Sequence, residues 1–252
     1  MPTVLALSPH LDDAAFSCGG LLVQLADAGW RTVVATVFTR SVPNPRGFAL
    51  ACQTDKGLPP GLDYMALRRA EDRAAITILG AEHRYLDFAE APHRGYHSAP
   101  ALFGPMLDDA WRTIAPAIAA LMQELEPALV LLPSGMGAHV DHRHVIHAAV
   151  PLAGGRAAFY RDAPYAIRNP MAPLHVTTTG LCRVEVGIVA GLDRKVRASV
   201  AYTSQLGFQF GGPDAAAVAL RQFAQDEGDG LAAEVYYAPA GLIPGGHERA
   251  TL

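Results

Sequence analysis

The chain has 252 residues, half of them hydrophobic, and a formal net charge of -4. A chain of that length and apolar content buries a sizeable core, which excludes an intrinsically disordered protein. Its acidic and basic residues are interspersed, without the basic field that polyanion binding requires, so nucleic acid is not an expected partner.

In chain order, strand-like and helix-like segments alternate. Residues 3–8 form an apolar strand, and residues 19–28 place Leu21, Leu22, Leu25 and Ala26 at helical spacing, with Gly29 as the stop. The β-branched run 32–38 is the next strand. Residues 39–63, rich in Pro, Gly, Asn and Ser, form a long loop of the kind that serves a site, before a helix over 64–79. A short strand at 83–88 leads into an irregular stretch, 89–105, which carries His93, Arg94, Tyr96 and His97 as substrate-facing candidates. A helix over 106–126 and a strand over 129–132 follow, then a helix over 142–149. Beyond residue 151 the pattern gives strands near 157–160, 181–186 and 234–237, a helix over 190–202, a loop around 211–213, and a tail from 245 that frays.

This alternation predicts an α/β fold: a Rossmann-like, mostly parallel sheet flanked by helices, with a C-terminal extension. With no repeat and no linker, one domain spans 1–252, its core about 1–155 and its elaboration about 156–252. The three cysteines, Cys18, Cys52 and Cys182, are far apart and form no C-x-x-C pair, which fits a reducing compartment. The apolar run at 4–7 is too short for a secretory signal, and no stretch approaches a bilayer span. A cytoplasmic location with no membrane partner is expected.

Two clusters carry chemistry. Ser8-Pro9-His10-Leu11-Asp12-Asp13 emerges where the first strand ends, and His139-Val140-Asp141-His142 follows the strand at 129–132. In open α/β sheets, ligands bind outside the carboxyl ends of the strands, so both clusters are brought to one face. Together they supply nitrogen and oxygen donors for a metal plus a spare carboxylate as a base. An Asp-Asp pair alone is more often a turn or a cap, and the second cluster reverses that preference. Asp141 also suits the N-cap of the helix that follows it. His144 and His147 are read as packing or surface residues. Gly19 and Gly20 lack the G-x-G-x-x-G spacing of a dinucleotide site and are read as close-packing positions, and Cys18 as a small buried residue.

The two clusters resemble the P-H-P-D-D-E and H-x-D-H motifs of the PIG-L/LmbE-like family of zinc-dependent N-deacetylases. The resemblance extends to Leu67-Arg68-Arg69-Ala70-Glu71, Leu79-Gly80 and Tyr85-Leu86-Asp87-Phe88, and more loosely to Lys195 and Ala201-Tyr202-Thr203-Ser204-Gln205. It implies one zinc ion per chain held by His10, Asp13 and His142, although such a shell accepts other divalent metals. It implies Asp12 as general base, and His139 as an oxyanion-stabilising group that Asp141 orients and charges. Arg68 would hold sugar hydroxyls with Glu71 anchoring it; Arg94 is a substrate-binding candidate on its own setting, a loop with aromatic and His neighbours, and for both a plain surface charge is the alternative. Ala14 stands where the family has Glu, Leu11 where it has Pro, and Gly137 where some relatives have Tyr.

The resemblance implies hydrolysis of a C–N amide bond, foremost removal of the acetyl group from an N-acetyl amino sugar such as a GlcNAc-type glycoside. Two alternatives stand beside it: a zinc amidase for a larger acyl amide, and a non-catalytic metal- or carbohydrate-binding relative, against which the retained Asp12 speaks. The partner is then a small N-acylated amino sugar, and a homo-oligomer stays open.

Overall fold

The computed structural model describes residues 1–249. Among the described residues, eight strands form one sheet in the order β3-β2-β1-β4-β5-β7-β6-β8. The strands β1 (Thr3–Ser8), β2 (Arg31–Thr36), β3 (Glu82–Tyr85), β4 (Leu129–Pro133) and β5 (Ala157–Tyr160) run parallel. The remaining three, β6 (Cys182–Gly187), β7 (Ala233–Ala238) and β8 (His247–Arg249), add antiparallel. The expected α/β class and mostly parallel sheet are what the chain forms.

The near-continuous apolar strands need cover on both faces, and they have it. Alternate residues of β1 point to opposite sides. Val4 and Ala6 pack with α1 (Asp13–Asp27), α3 (Tyr64–Leu79), α7 (Leu192–Ser199) and α9 (Pro213–Glu227). Leu5 and Leu7 pack with α4 (Ala110–Leu125) and α5 (Val140–Ala153). Among the described residues, no helix is long and apolar enough to cross a membrane.

Four sequence expectations are corrected. The first helix begins at Asp13, six residues before its expected start. Residues 13–23 are buried throughout, so no apolar stripe marks them as helical. The long loop at 39–63 contains a helix, α2 (Gly47–Thr54). Past α6 (Tyr165–Arg168), the supposed loop at 211–213 is a junction: Gly211, left-handed at φ 86°, ends α8 (Thr203–Phe210), and Pro213 occupies the first turn of α9. Of the tail expected to fray, residues 247–249 instead pair as β8 with β6, and 250–252 lie outside the described residues.

Gly19 and Gly20 do serve close packing. A Cβ at Gly20 would lie 2.6 Å from Ile188 Cδ1, and one at Gly19 3.2 Å from Lys195 Cγ. Lys195 is itself buried, its Nζ 2.7 Å from Glu234 Oε1 on β7. The Glu234 carboxylate also accepts from the N–H groups of Gly20 and Leu21 and from the Tyr236 hydroxyl. This buried pair ties the middle of α1 to α7 and to the sheet.

Candidate metal centre and active site

The sharp turn after β1 is held by Ser8, whose hydroxyl donates to the His10 carbonyl (2.6 Å) and accepts from the Ala14 N–H (3.0 Å). It delivers Asp12 and Asp13 to the N-terminus of α1, where the helix dipole favours negative charge. Residues 139–142 sit at the start of α5 in the same crevice.

Asp13 Oδ2 lies 3.2 Å from His10 Nδ1 and 3.3 Å from His142 Nε2. Donors bound at ~2.0–2.1 Å around a tetrahedral ion are separated by about 3.3 Å, so the spacing is that of one shared cation. The far nitrogen of each imidazole meets a carboxylate: His10 Nε2 is 3.0 Å from Asp141 Oδ2, and His142 Nδ1 is 2.6 Å from Asp162 Oδ1. With the far N–H of each ring taken by its carboxylate, Nδ1 of His10 and Nε2 of His142 are the nitrogens that would turn lone pairs to a bound cation. Among the described residues, His142 Nε2 is buried and has no hydrogen-bond partner. Donor atoms of His10, His139 and His142 also come within 4.8 Å of one another, giving a second convergent set. In His139, however, Nδ1 accepts from the Asp141 N–H (3.2 Å), which leaves the proton of a neutral ring on Nε2.

The charges agree with a cation site. Burial alone would raise Asp13, but the His142 and His10 imidazoles overcome it and hold this carboxyl well below its usual range. Burial opposes charge on His142 as well, yet Asp13 and Asp162 lift it to about 9. Two protonated imidazoles thus balance the carboxylates, and a divalent ion would displace those protons. His139 differs: burial, reinforced by His10, drives it down to about 3, so it stays neutral. Asp12 is raised to about 7, by burial first, against the pull of Arg68.

A cavity of about 310 Å³ opens on this cluster, with His10, Asp12, Asp13, His139 and Tyr165 at its floor. Residues 5–153 match the family described as PIG-L: GlcNAc-PI de-N-acetylase. A 2'-N-acetylparomamine deacetylase from Streptomyces fradiae is 34% identical over 211 residues, which is 80% of this chain and 72% of the relative.

The chain belongs to the PIG-L family.

Two solved structures extend the likeness over the sheet and its antiparallel strands. The A40926 pseudoaglycone deacetylase is 30% identical, with a TM-score of 0.79 over 93% of this chain and 96% of that one. A deacetylase of teicoplanin biosynthesis is 27% identical, with a TM-score of 0.83 over 93% and 96%.

Within this PIG-L chain, the structure gathers His10, Asp12, Asp13, His139, Asp141 and His142 in one crevice, as their positions at strand ends require. Several partners differ from expectation. The Asp141 carboxylate faces His10 and Arg94, and only its backbone N–H meets His139; the side chain that caps α5 is that of His139. Arg68 is buried at the cavity wall, with Nη1 2.6 Å from Glu90 Oε1 and Nη2 3.6 Å from Asp12 Oδ1. Its anchor is therefore Glu90. Glu71 instead accepts from the Thr203 and Ser204 hydroxyls and the Ser204 N–H, fixing the start of α8. Arg94, expected at the substrate, is committed to Asp141 (2.9 Å) and Asp108 (2.8 Å) over the Phe38 ring, and the cavity is lined without it. His144 is buried with Nε2 2.7 Å from Asp108, and His147 sits 6.3 Å from the Trp111 ring. At Gly137, φ is 84°, and a Cβ would lie 2.5 Å from Tyr165 Cγ, so the Tyr165 ring fills the space a side chain there would take.

Asp162 was missed by the sequence reading. Besides His142 it accepts from the Ser134 N–H and hydroxyl and the Met136 N–H, which locks its carboxylate in place. The signal was available, because Asp162 lies just past the carboxyl end of β5, as the two motifs lie just past β1 and β4.

Proposed function

We propose that this PIG-L chain is a zinc-dependent N-deacetylase that removes the acetyl group from an N-acetylated amino sugar. The observation that carries the reading is Asp13 Oδ2 equidistant from two imidazole nitrogens, with the raised carboxyl of Asp12 beside them. The relatives at 34% and 30% identity, named as a 2'-N-acetylparomamine deacetylase and an A40926 pseudoaglycone deacetylase, support the choice of bond.

His10, Asp13 and His142 would hold the zinc. When bound, it supplies Lewis acidity that makes water easier to deprotonate and an amide carbonyl easier to attack. Asp12, with Oδ2 buried and free of hydrogen bonds, takes the proton from the attacking water. A base with a pKa near the working pH both accepts and returns a proton, so the same carboxyl then protonates the departing amine. Neutral His139 donates a hydrogen bond from its Nε2–H to the oxygen that gains charge as the carbonyl becomes tetrahedral. Arg68, pinned by Glu90, orients Asp12 and presents its remaining surface to the sugar hydroxyls.

The test pairs metal content with acetate release. Protein loaded with one equivalent of zinc is expected to release acetate from N-acetylglucosaminides, and chelation is expected to stop it. Zinc binding without acetate release from any N-acetylated sugar would overturn the activity, and failure to bind zinc would overturn the site.

Asp162 gives an independent check. Removing the carboxylate that orients a metal-bound imidazole costs roughly 10–100-fold in metal affinity. Asp162→Ala is therefore expected to weaken zinc binding by that factor in competition with a chromogenic chelator. An unchanged affinity would mean that His142 is not a ligand.

A further inference from the structure

The cavity changes character from floor to mouth. Its floor holds the carboxylates and imidazoles already described, and those carboxylates are engaged: Glu90 and Asp12 face Arg68, Asp13 faces two imidazoles, and Asp141 faces Arg94. The mouth is aromatic. Phe48 from α2, Phe103 and Phe208 from α8 line it, and Phe208 and Phe103 are 67% and 44% exposed. Large apolar rings left that open around a site entrance mark a binding surface. The start of α8, which carries Phe208, is anchored by Glu71, which accepts from the Ser204 N–H, and by the Gln205 amide 2.9 Å from the Tyr64 hydroxyl.

Aromatic rings also attract cations, but that position is taken. Lys56 Nζ lies 5.3 Å from the Tyr64 ring and 5.2 Å from the Phe208 ring. A second ammonium group would meet its charge. Arg168 adds another positive group, its Nη2 donating to the Gln209 carbonyl, and among the described residues Asp55 is the one exposed carboxylate lining the mouth. What is left for a ligand is uncharged ring face.

We propose that the mouth is an aglycone subsite for an uncharged apolar group, best an aromatic one, so that the substrate is an N-acetylated amino sugar linked to such a group rather than a polycationic pseudo-oligosaccharide. This rests on the deacetylase reading, in which the acyl group is acetyl: Phe103 lies 5.4 Å from the His139 ring, and the more exposed Phe208 is left to the aglycone.

Acetate release is compared for methyl and phenyl N-acetyl-β-glucosaminides and for an acetylated aminoglycoside with several ammonium groups. The phenyl glycoside is expected to show about tenfold higher kcat/KM than the methyl, carried mainly by KM, equivalent to about 1.4 kcal/mol. Phe208→Ala is expected to bring that ratio toward one, and Lys56→Glu to improve the polycation relative to the phenyl glycoside. Equal rates for phenyl and methyl, or a wild-type preference for the polycation, would overturn the subsite. So would a rate on the methyl glycoside that rises with acyl length. Calorimetric binding of the deacetylated phenyl and methyl β-glucosaminides to the zinc-loaded protein separates the two readings. A tenfold phenyl preference in binding with no acetate release from any substrate would retain the subsite and sink the deacetylase; acetate release with no preference in either measurement would do the reverse.

Discussion

Replacing Asp12 by Asn is expected to lower kcat for deacetylation by roughly 10²–10⁴-fold, the usual contribution of a positioned general base, while zinc content stays at one per chain. Asn keeps the shape of the side chain and cannot take a proton. The buried Arg68 keeps its Glu90 partner, so the variant does not strand a guanidinium. Loss of zinc together with turnover would make Asp12 a ligand, and retained turnover would place the base elsewhere. The pH dependence has a definite sign. A base works only when ionised, so kcat/KM is present above the pKa of Asp12 and lost as pH falls through it. Burial raises that carboxyl to about 7, and a cation bound beside it pulls the value down, so the acid limb falls at or below about 7. Stability of the metal-free protein runs the opposite way. The folded pKa of Asp12 is raised above its ordinary 3.8, so its contribution is full below the unfolded value and is lost as pH rises through about 7. Chelator-treated wild type should therefore lose more stability than Asp12→Asn across that window, measured by urea unfolding at several pH values.

Lys195→Met is expected to cost about 3–5 kcal/mol of stability, the range for stranding one partner of a buried ion pair. For a chain of this size that is roughly 6–20 °C in Tm. Lys195 and Glu234 are 1% and 3% exposed, so water cannot replace the lost ammonium. The Glu234 carboxylate would still hold the N–H groups of Gly20 and Leu21 inside α1 and the Tyr236 hydroxyl, but with its charge uncompensated. The same clamp seats α1, whose first turn carries Asp13, so zinc affinity is expected to weaken along with stability. Thermal unfolding checks the first effect and chelator competition the second. A change under about 1 kcal/mol would mean that the pair contributes little beyond filling space, as some buried pairs do.

The fold and the meeting of the two motifs were legible because both follow from local pattern plus one general rule. Continuous apolar runs at 3–8 and 129–132 can only be strands of a sheet covered on both faces, and the sheet does place β1 beside β4. Residues just past their carboxyl ends then share a crevice, so His10 and His142 meet although 131 positions separate His10 from Asp141. The helices α2, α8 and α9 were less legible. Gly47 opens α2 and a glycine–proline junction separates α8 from α9, so turn residues masked where these helices begin and end.

The sequence by itself determined the mostly parallel sheet, the two clusters at its carboxyl edge, and hence that His10, Asp12, Asp13, His139, Asp141 and His142 share the crevice. Only the tertiary structure decided how each is used: that Asp141 and Asp162 take the far nitrogens of His10 and His142, that Glu90 rather than Glu71 pins Arg68, and that Arg94 turns away from the cavity to Asp141. The physical reason is range. Hydrophobic period and strand-end placement act over a few residues and repeat, so a linear pattern records them. A hydrogen bond between side chains on distant elements depends on where loops set their last few ångströms, and a single Asp or Glu letter carries no mark of the partner it will meet.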